Sequence, residues 1–161
     1  MATSNQPLIN ELVSVVQLDI DAFHAYQQAI NSMDLDDVRA ALVAFQRDHE
    51  RHVNELSEVI LSLGGEAPVF ARDFKGFLIE GMTALRSRMG TEGALKAMRQ
   101  NEILTNAKYN KAAAGAFPQH VAELLARGQE DERRHLDYIE KCIQQRVWDD
   151  AAAREALPRF T

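Results

Sequence analysis

The chain has 161 residues, of which 46% are hydrophobic, and a formal net charge of -6. This length and composition predict one globular domain over residues 1–161 with a sizeable core, and they exclude an intrinsically disordered chain. The acidic balance, without any run of lysine and arginine, argues against a protein that binds nucleic acid or lies on a membrane surface.

The sequence contains no stretch that predicts export or membrane insertion. Its first residues, MATSNQPLINEL, lack the basic and apolar regions of a signal peptide, and no apolar run reaches the length of a membrane span. The single cysteine, Cys142, cannot form an internal disulfide and is interpreted as a core residue. We therefore expect a cytoplasmic protein without a membrane partner.

The first half of the chain predicts a helical hairpin. Its apolar residues recur at helical spacing, and no segment alternates with the period of a β-strand. A first helix is expected over about residues 7–32, and a second helix, capped by Asp34, should run to about residue 63. The pair Gly64 and Gly65 should end it. Because the break between the two helices is short, they should pack antiparallel.

The second half predicts another hairpin, reached through a long crossover. A short amphipathic helix is expected in the crossover over about residues 73–89. The hairpin helices should cover about residues 91–115 and 118–147, and the tail 148–161 could add one short helix before Pro158. Two antiparallel hairpins joined by one long connection form an all-α four-helix bundle.

Each of the four long predicted helices places an ionisable residue in the centre of its apolar stripe, where leucines are expected, and His52 lies on the flank of its stripe. The second and fourth helices each carry a pair at positions i and i+3, which share one helix face. The first and third helices each carry one carboxylate. The full set is Asp19, His49, His52, Glu102, Glu132 and His135.

These six side chains are predicted to meet at one level of the bundle. All of them lie roughly 20–25 Å from the turn of their own hairpin, at about 1.5 Å per residue. Burying one charge without a partner costs several kcal/mol, which is comparable to the net free energy of unfolding of a whole domain. The six groups must therefore neutralise one another or bind cations, and iron, manganese and zinc accept carboxylate and imidazole ligands.

The pattern over about residues 5–147 resembles that of ferritin-like di-metal carboxylate proteins. In that pattern two helices give one glutamate each, and the other two give Glu-x-x-His each. The segments DFKGF and TNAKY also resemble bacterial ferritin-like proteins of unassigned function. The residues that match the ligand pattern are His52, Glu102, Glu132 and His135.

Two positions depart from the ferritin-like pattern. Asp19 stands where the family has a glutamate, and His49 stands where the family has a glutamate that usually bridges two metals. The resemblance implies a site for one or two transition-metal ions per chain, with iron first and zinc or manganese as alternatives. A redox-active metal would imply reaction with oxygen or peroxide, or oxidation of iron.

Other interpretations stay open. Asp48 would replace His49 as a ligand if the second helix were rotated. The protein could instead be a non-catalytic zinc or metal carrier, or a metal-free structural bundle in which the six groups pair with one another. Tyr26 and Tyr109 line the inward faces, either as core residues or as hydrogen-bonding neighbours of a metal. The crossover helix and the tail are candidate surfaces for a homodimer.

Overall fold

The computed structural model describes residues 5–70 and 90–160, and it confirms the predicted all-helical four-helix bundle. In chain order the helices are α1 (Gln6–Asn31), α2 (Asp36–Ser62), α3 (Gly90–Ala113), α4 (Gln119–Gln144) and the short α5 (Ala151–Glu155). None of these described helices carries an apolar stretch that would span a bilayer. The helix predicted over residues 73–89 lies outside the described residues.

The turn between α1 and α2 differs from the prediction in its capping residue. The predicted cap, Asp34, is wrong: Leu35 occupies the N-cap position with an extended backbone, and Asp36 begins the helix. The guanidinium of Arg39 donates to the Asp36 carboxylate and to the Met33 carbonyl. A side chain from inside the helix therefore fixes this first turn, in place of a capping residue before it.

The α2 helix ends at the predicted glycine pair. Gly64 has a positive φ of 83°, and the N–H of Gly65 donates at 2.9 Å to a carbonyl in the last turns of α2. A Cβ on Gly65 would lie 2.7 Å from Cγ2 of Ile9. Further on, the rings of Phe70 and Phe23 lie 5.0 Å apart in an edge-to-face contact. The chain thus leaves α2 by running along α1 toward the middle of the bundle.

A polar layer divides the apolar core into two clusters. The cluster nearer the α1–α2 turn contains Tyr26, Phe45 and Met98, and the cluster nearer the α3–α4 turn contains Leu12 and Leu125. In α2, α3 and α4 the buried ionisable residues separate the residues of one cluster from those of the other, and in α1 Asp19 lies beside Ile20, the last residue of the second cluster in that helix. The bundle therefore surrounds its polar groups with apolar packing above and below.

The tail after α4 packs back on the bundle. The α5 helix confirms the short helix predicted before Pro158. Leu157 is buried, and the ring of Phe160 lies 4.9 Å from that of Phe45 and 5.3 Å from that of Tyr138. These tail residues cover the first apolar cluster of their own chain. A homodimer stays a prediction.

Candidate metal centre

The six ionisable side chains predicted to face inward converge at the middle of the bundle, and none is more than 4% exposed. Their possible ligand atoms form two overlapping groups, and within each group these atoms lie within 4.8 Å of one another. The Asp19 group consists of Asp19, His49, His52 and Glu132. The Glu102 group consists of His49, Glu102, Glu132 and His135. Either group could hold a metal ion, and His49 and Glu132 belong to both.

The centre of the cluster contains buried polar atoms that make no hydrogen bond to any described residue. They are Nε2 of His49, Nδ1 of His135 and both carboxylate oxygens of Glu132. Nε2 of His49 lies 3.6 Å from Oε1 of Glu102, and Nδ1 of His135 lies 3.8 Å from Oε2. Two atoms that bind one ion at about 2.0–2.2 Å can be up to about 4 Å apart. These separations therefore fit an ion bound between the side chains.

Two aspartates orient histidines from outside the cluster. Nε2 of His135 donates to Oδ2 of Asp48 at 3.0 Å, and Nε2 of His52 donates to Oδ2 of Asp131 at 3.1 Å. With Nε2 protonated, the Nδ1 atoms face inward, as in metal sites where a carboxylate holds the outer edge of a histidine ligand. Asp48, considered as a substitute for His49, belongs to neither ligand group.

The two outer aspartates belong to a motif that occurs twice. Residues 48–52 read DHERH and residues 131–135 read DERRH, so α2 and α4 both contain D-x-x-R-H. Each aspartate bonds the histidine of the opposite motif, and Arg51 and Arg134 each pair with both aspartates. The supporting role of these two aspartates was not predicted from the sequence. The repeated motif is the signal that could have identified them.

Tyrosines hold the carboxylates of α1 and α3 in a similar crosswise manner. Oη of Tyr26 donates to Oε1 of Glu102 at 2.6 Å, and Oη of Tyr109 donates to Oδ2 of Asp19 at 2.7 Å. Burial and the neighbouring carboxylates raise the pKa of both phenols, which therefore stay protonated donors. The contacts relate α1 to α3 and α2 to α4 by an approximate twofold arrangement.

Charges inside the cluster stabilise one another. Burial alone would lower the pKa of His49, but the surrounding carboxylates, Glu132 foremost, raise it to about 10. Burial alone would raise the pKa of Glu132, but the neighbouring histidines, His49 foremost, lower it to about 2. Without a metal, imidazolium protons thus balance the carboxylates. A bound cation would take over that role.

Tyr109 is positioned by a glycine on α4, because a Cβ on Gly128 would lie 2.3 Å from Cε1 of its ring. In Gly128→Ala, overpacking should cost about 1–3 kcal/mol, and alanine adds about 1 kcal/mol of helix propensity, so we expect the free energy of unfolding to fall by up to about 2 kcal/mol. Chemical denaturation measures the difference. In a Tyr109→Leu background the same substitution should be neutral or stabilising, and an equal loss in both backgrounds would contradict the explanation.

Comparison with known proteins gives one family match. The sequence model of a family described as Domain of unknown function (DUF2383) matches residues 8–115. This range contains four of the six converging residues and stops before α4, which supplies the other two. No curated protein matches the sequence.

Proposed function

The chain belongs to the family described as Domain of unknown function (DUF2383), and we propose that it is a ferritin-like metal-binding protein with one or two transition-metal ions in its bundle. The ligands would come from Asp19, His49, His52, Glu102, Glu132 and His135. The observation that carries the proposal is the group of central nitrogen and oxygen atoms without a hydrogen bond among the described residues. Each unsatisfied buried polar group costs about 1–3 kcal/mol. A cation would satisfy these atoms together.

The donor atoms favour iron, manganese or zinc. Carboxylates and imidazoles bind all three metals, and iron is the first choice because of the ferritin-like arrangement. Iron or manganese would supply redox chemistry, namely reaction with oxygen or peroxide or the oxidation of iron. The chain would supply the ligands, the exclusion of water from a buried site, and the phenol donors of Tyr26 and Tyr109.

Metal content tests this proposal directly. Purified wild-type protein, stripped with chelator and reloaded separately with Fe(II), Mn(II) or Zn(II), should retain at least one of these ions through gel filtration. The Glu132→Gln variant should retain none, because it loses the carboxylate shared by both ligand groups. The matched control is Glu130→Gln on the same helix, whose side chain is 63% exposed. Equal metal contents in all three proteins would refute the proposal.

Iron oxidation separates the redox function from the alternative of a zinc carrier. Wild-type protein should accelerate oxygen- or peroxide-dependent oxidation of added Fe(II) relative to Glu132→Gln. Tight zinc binding with equal oxidation rates would instead identify a non-catalytic metal carrier.

A metal-free structural bundle is the second candidate, and the hydrogen bonds at the rim of the cluster favour it. Glu102 and Asp19 already accept phenol protons at 2.6 and 2.7 Å. In such a bundle, chelators would leave the melting temperature unchanged, whereas a bound metal raises it through linkage.

A further inference from the structure

We propose that the cluster holds a single metal ion per chain, in the Glu102 group, and that hydrogen bonds to His52 occupy the position of a second ion. This inference rests on the proposed function, because it specifies how many ions that site takes and which side chains bind them. The proposed site differs from a two-metal site because His49 stands at the position of the glutamate that usually bridges the two metals.

His49 lies between the two ligand groups and turns one ring nitrogen toward each. Nδ1 lies 2.9 Å from Oδ1 of Asp19, whereas Nε2 lies 3.6 Å from Oε1 of Glu102. A carboxylate only accepts hydrogen bonds, so the short contact places the proton of a neutral ring on Nδ1. The one lone pair of that ring is then on Nε2. His49 can therefore bind one ion, and that ion lies on the Glu102 side.

The polar atoms of Asp19 and His52 already have partners. Oδ1 of Asp19 accepts from His49 and, at 3.4 Å, from Nδ1 of His52, while Oδ2 accepts from Tyr109 at 2.7 Å. His52 donates from its other nitrogen to Asp131 at 3.1 Å. An ion in the Asp19 group would have to break the hydrogen bonds that Nδ1 of His49 and Nδ1 of His52 donate to Oδ1 of Asp19.

In the Glu102 group, by contrast, most of the possible ligand atoms have no hydrogen-bond partner among the described residues. Nε2 of His49 and Nδ1 of His135 are buried and make no hydrogen bond with the described parts of the chain. The Glu132 oxygens share this property. Three of the four side chains in the group thus present free ligand atoms, and an ion could bind there without displacing an existing hydrogen bond of those atoms.

The charge of the cluster also favours one ion. Its three carboxylates are Asp19, Glu102 and Glu132. One divalent ion leaves a single negative charge, which the hydrogen bonds that Asp19 accepts from His52 and Tyr109 stabilise. Two divalent ions would leave a positive charge even with every histidine neutral, and a buried unpaired charge is strongly destabilising. The outer motifs contribute two aspartates and two arginines, which cancel.

Titration with Co(II) tests the inference on the full-length, chelator-treated protein. Bound cobalt is counted by elemental analysis after gel filtration, and ligand binding is followed by visible absorption. We expect one equivalent per wild-type chain. His135→Gln should lower the affinity by more than the roughly 10–100-fold typical for losing an outer partner. His52→Gln should lower the affinity by less than His135→Gln does, because the single-ion site does not use the His52 ring as a ligand. His120→Gln, an exposed histidine outside the cluster, controls for nonspecific binding.

A gain-of-site variant provides the complementary measurement. His49→Glu supplies lone pairs to both ligand groups and a fourth carboxylate, which balances two divalent ions. It should therefore bind two equivalents of Co(II). Circular dichroism verifies that each variant is folded. The Co(II) stoichiometry of the wild-type chain tests the single-ion site even if a variant fails to fold.

The possible outcomes distinguish the inference from the function on which it rests. Two equivalents in wild-type protein, or a larger loss of affinity in His52→Gln than in His135→Gln, would overturn the single-ion site and leave the metal-binding function standing. A His49→Glu variant that binds only one equivalent would also count against it. A wild-type chain that binds no Co(II) would overturn both.

Discussion

Replacing Glu132 by glutamine should lower the free energy of unfolding of the metal-free chain by about 3–5 kcal/mol, the range for removing one partner of a buried ion pair. Glu132 is fully buried. Its Oε1 lies 3.4 Å from Nδ1 of His49 and 3.5 Å from Nδ1 of His52. Because this carboxylate is the foremost cause that raises the pKa of His49, its loss leaves an imidazolium without its main counter-charge.

The control for this prediction is Glu130→Gln, two residues away on the same helix. Glu130 is exposed and pairs only with the exposed Arg133 among the described residues, so its loss should change stability by about 0–1 kcal/mol. Urea denaturation with chelator present measures both variants. Equal losses would show that Glu132 does not stabilise the cluster electrostatically.

Added metal should also raise the melting temperature of the wild-type chain and leave that of Glu132→Gln unchanged. A ligand at 100 times its Kd stabilises the folded state by about 2.7 kcal/mol. For a chain of this size, each kcal/mol raises the melting temperature by roughly 2–4 °C. Differential scanning calorimetry with Zn(II) should show this rise in wild-type protein, and chelator should reverse it. The variant should show neither change.

The fold and the convergence of the six central residues could be predicted from sequence because both follow from helix geometry. The helical period determines which face a residue occupies, and the distance from a hairpin turn determines its level. The inward position and the level of Asp19 and Glu102 could be predicted from these two quantities alone. Helix ends were predicted less closely, because a cap depends on local contacts such as that of Arg39 with the Met33 carbonyl.

The support around the cluster could not be predicted from one helix at a time. Asp48 and Asp131 lie at the edge of their own apolar stripes, and each bonds a histidine on the opposite helix. The same holds for Tyr26 and Tyr109, whose acceptors lie across the bundle. Such contacts depend on the offset between neighbouring helices, which no single helical pattern contains.

The crosswise pairing leads to a second large effect, on metal affinity. Asp48→Asn should weaken Co(II) binding by about 10–100-fold, the usual effect of removing the outer partner of a ligand histidine. Asp48 holds Nε2 of His135, which lies in the Glu102 group. Despite partial burial, the hydrogen bond from His135 and two arginines keep the pKa of Asp48 well below its ordinary value. An asparagine cannot reproduce that charge.

The mirror variant, Asp131→Asn, makes this prediction specific. Both aspartates lie between Arg51 and Arg134 and each holds one histidine, so the two variants lose the same kinds of contact. Asp131, however, holds His52, which the single-ion site does not use. Calorimetric titration should therefore find a large loss for Asp48→Asn and a small one for Asp131→Asn. Similar losses in both would indicate two occupied groups, because a pair of ions would depend equally on the two outer aspartates.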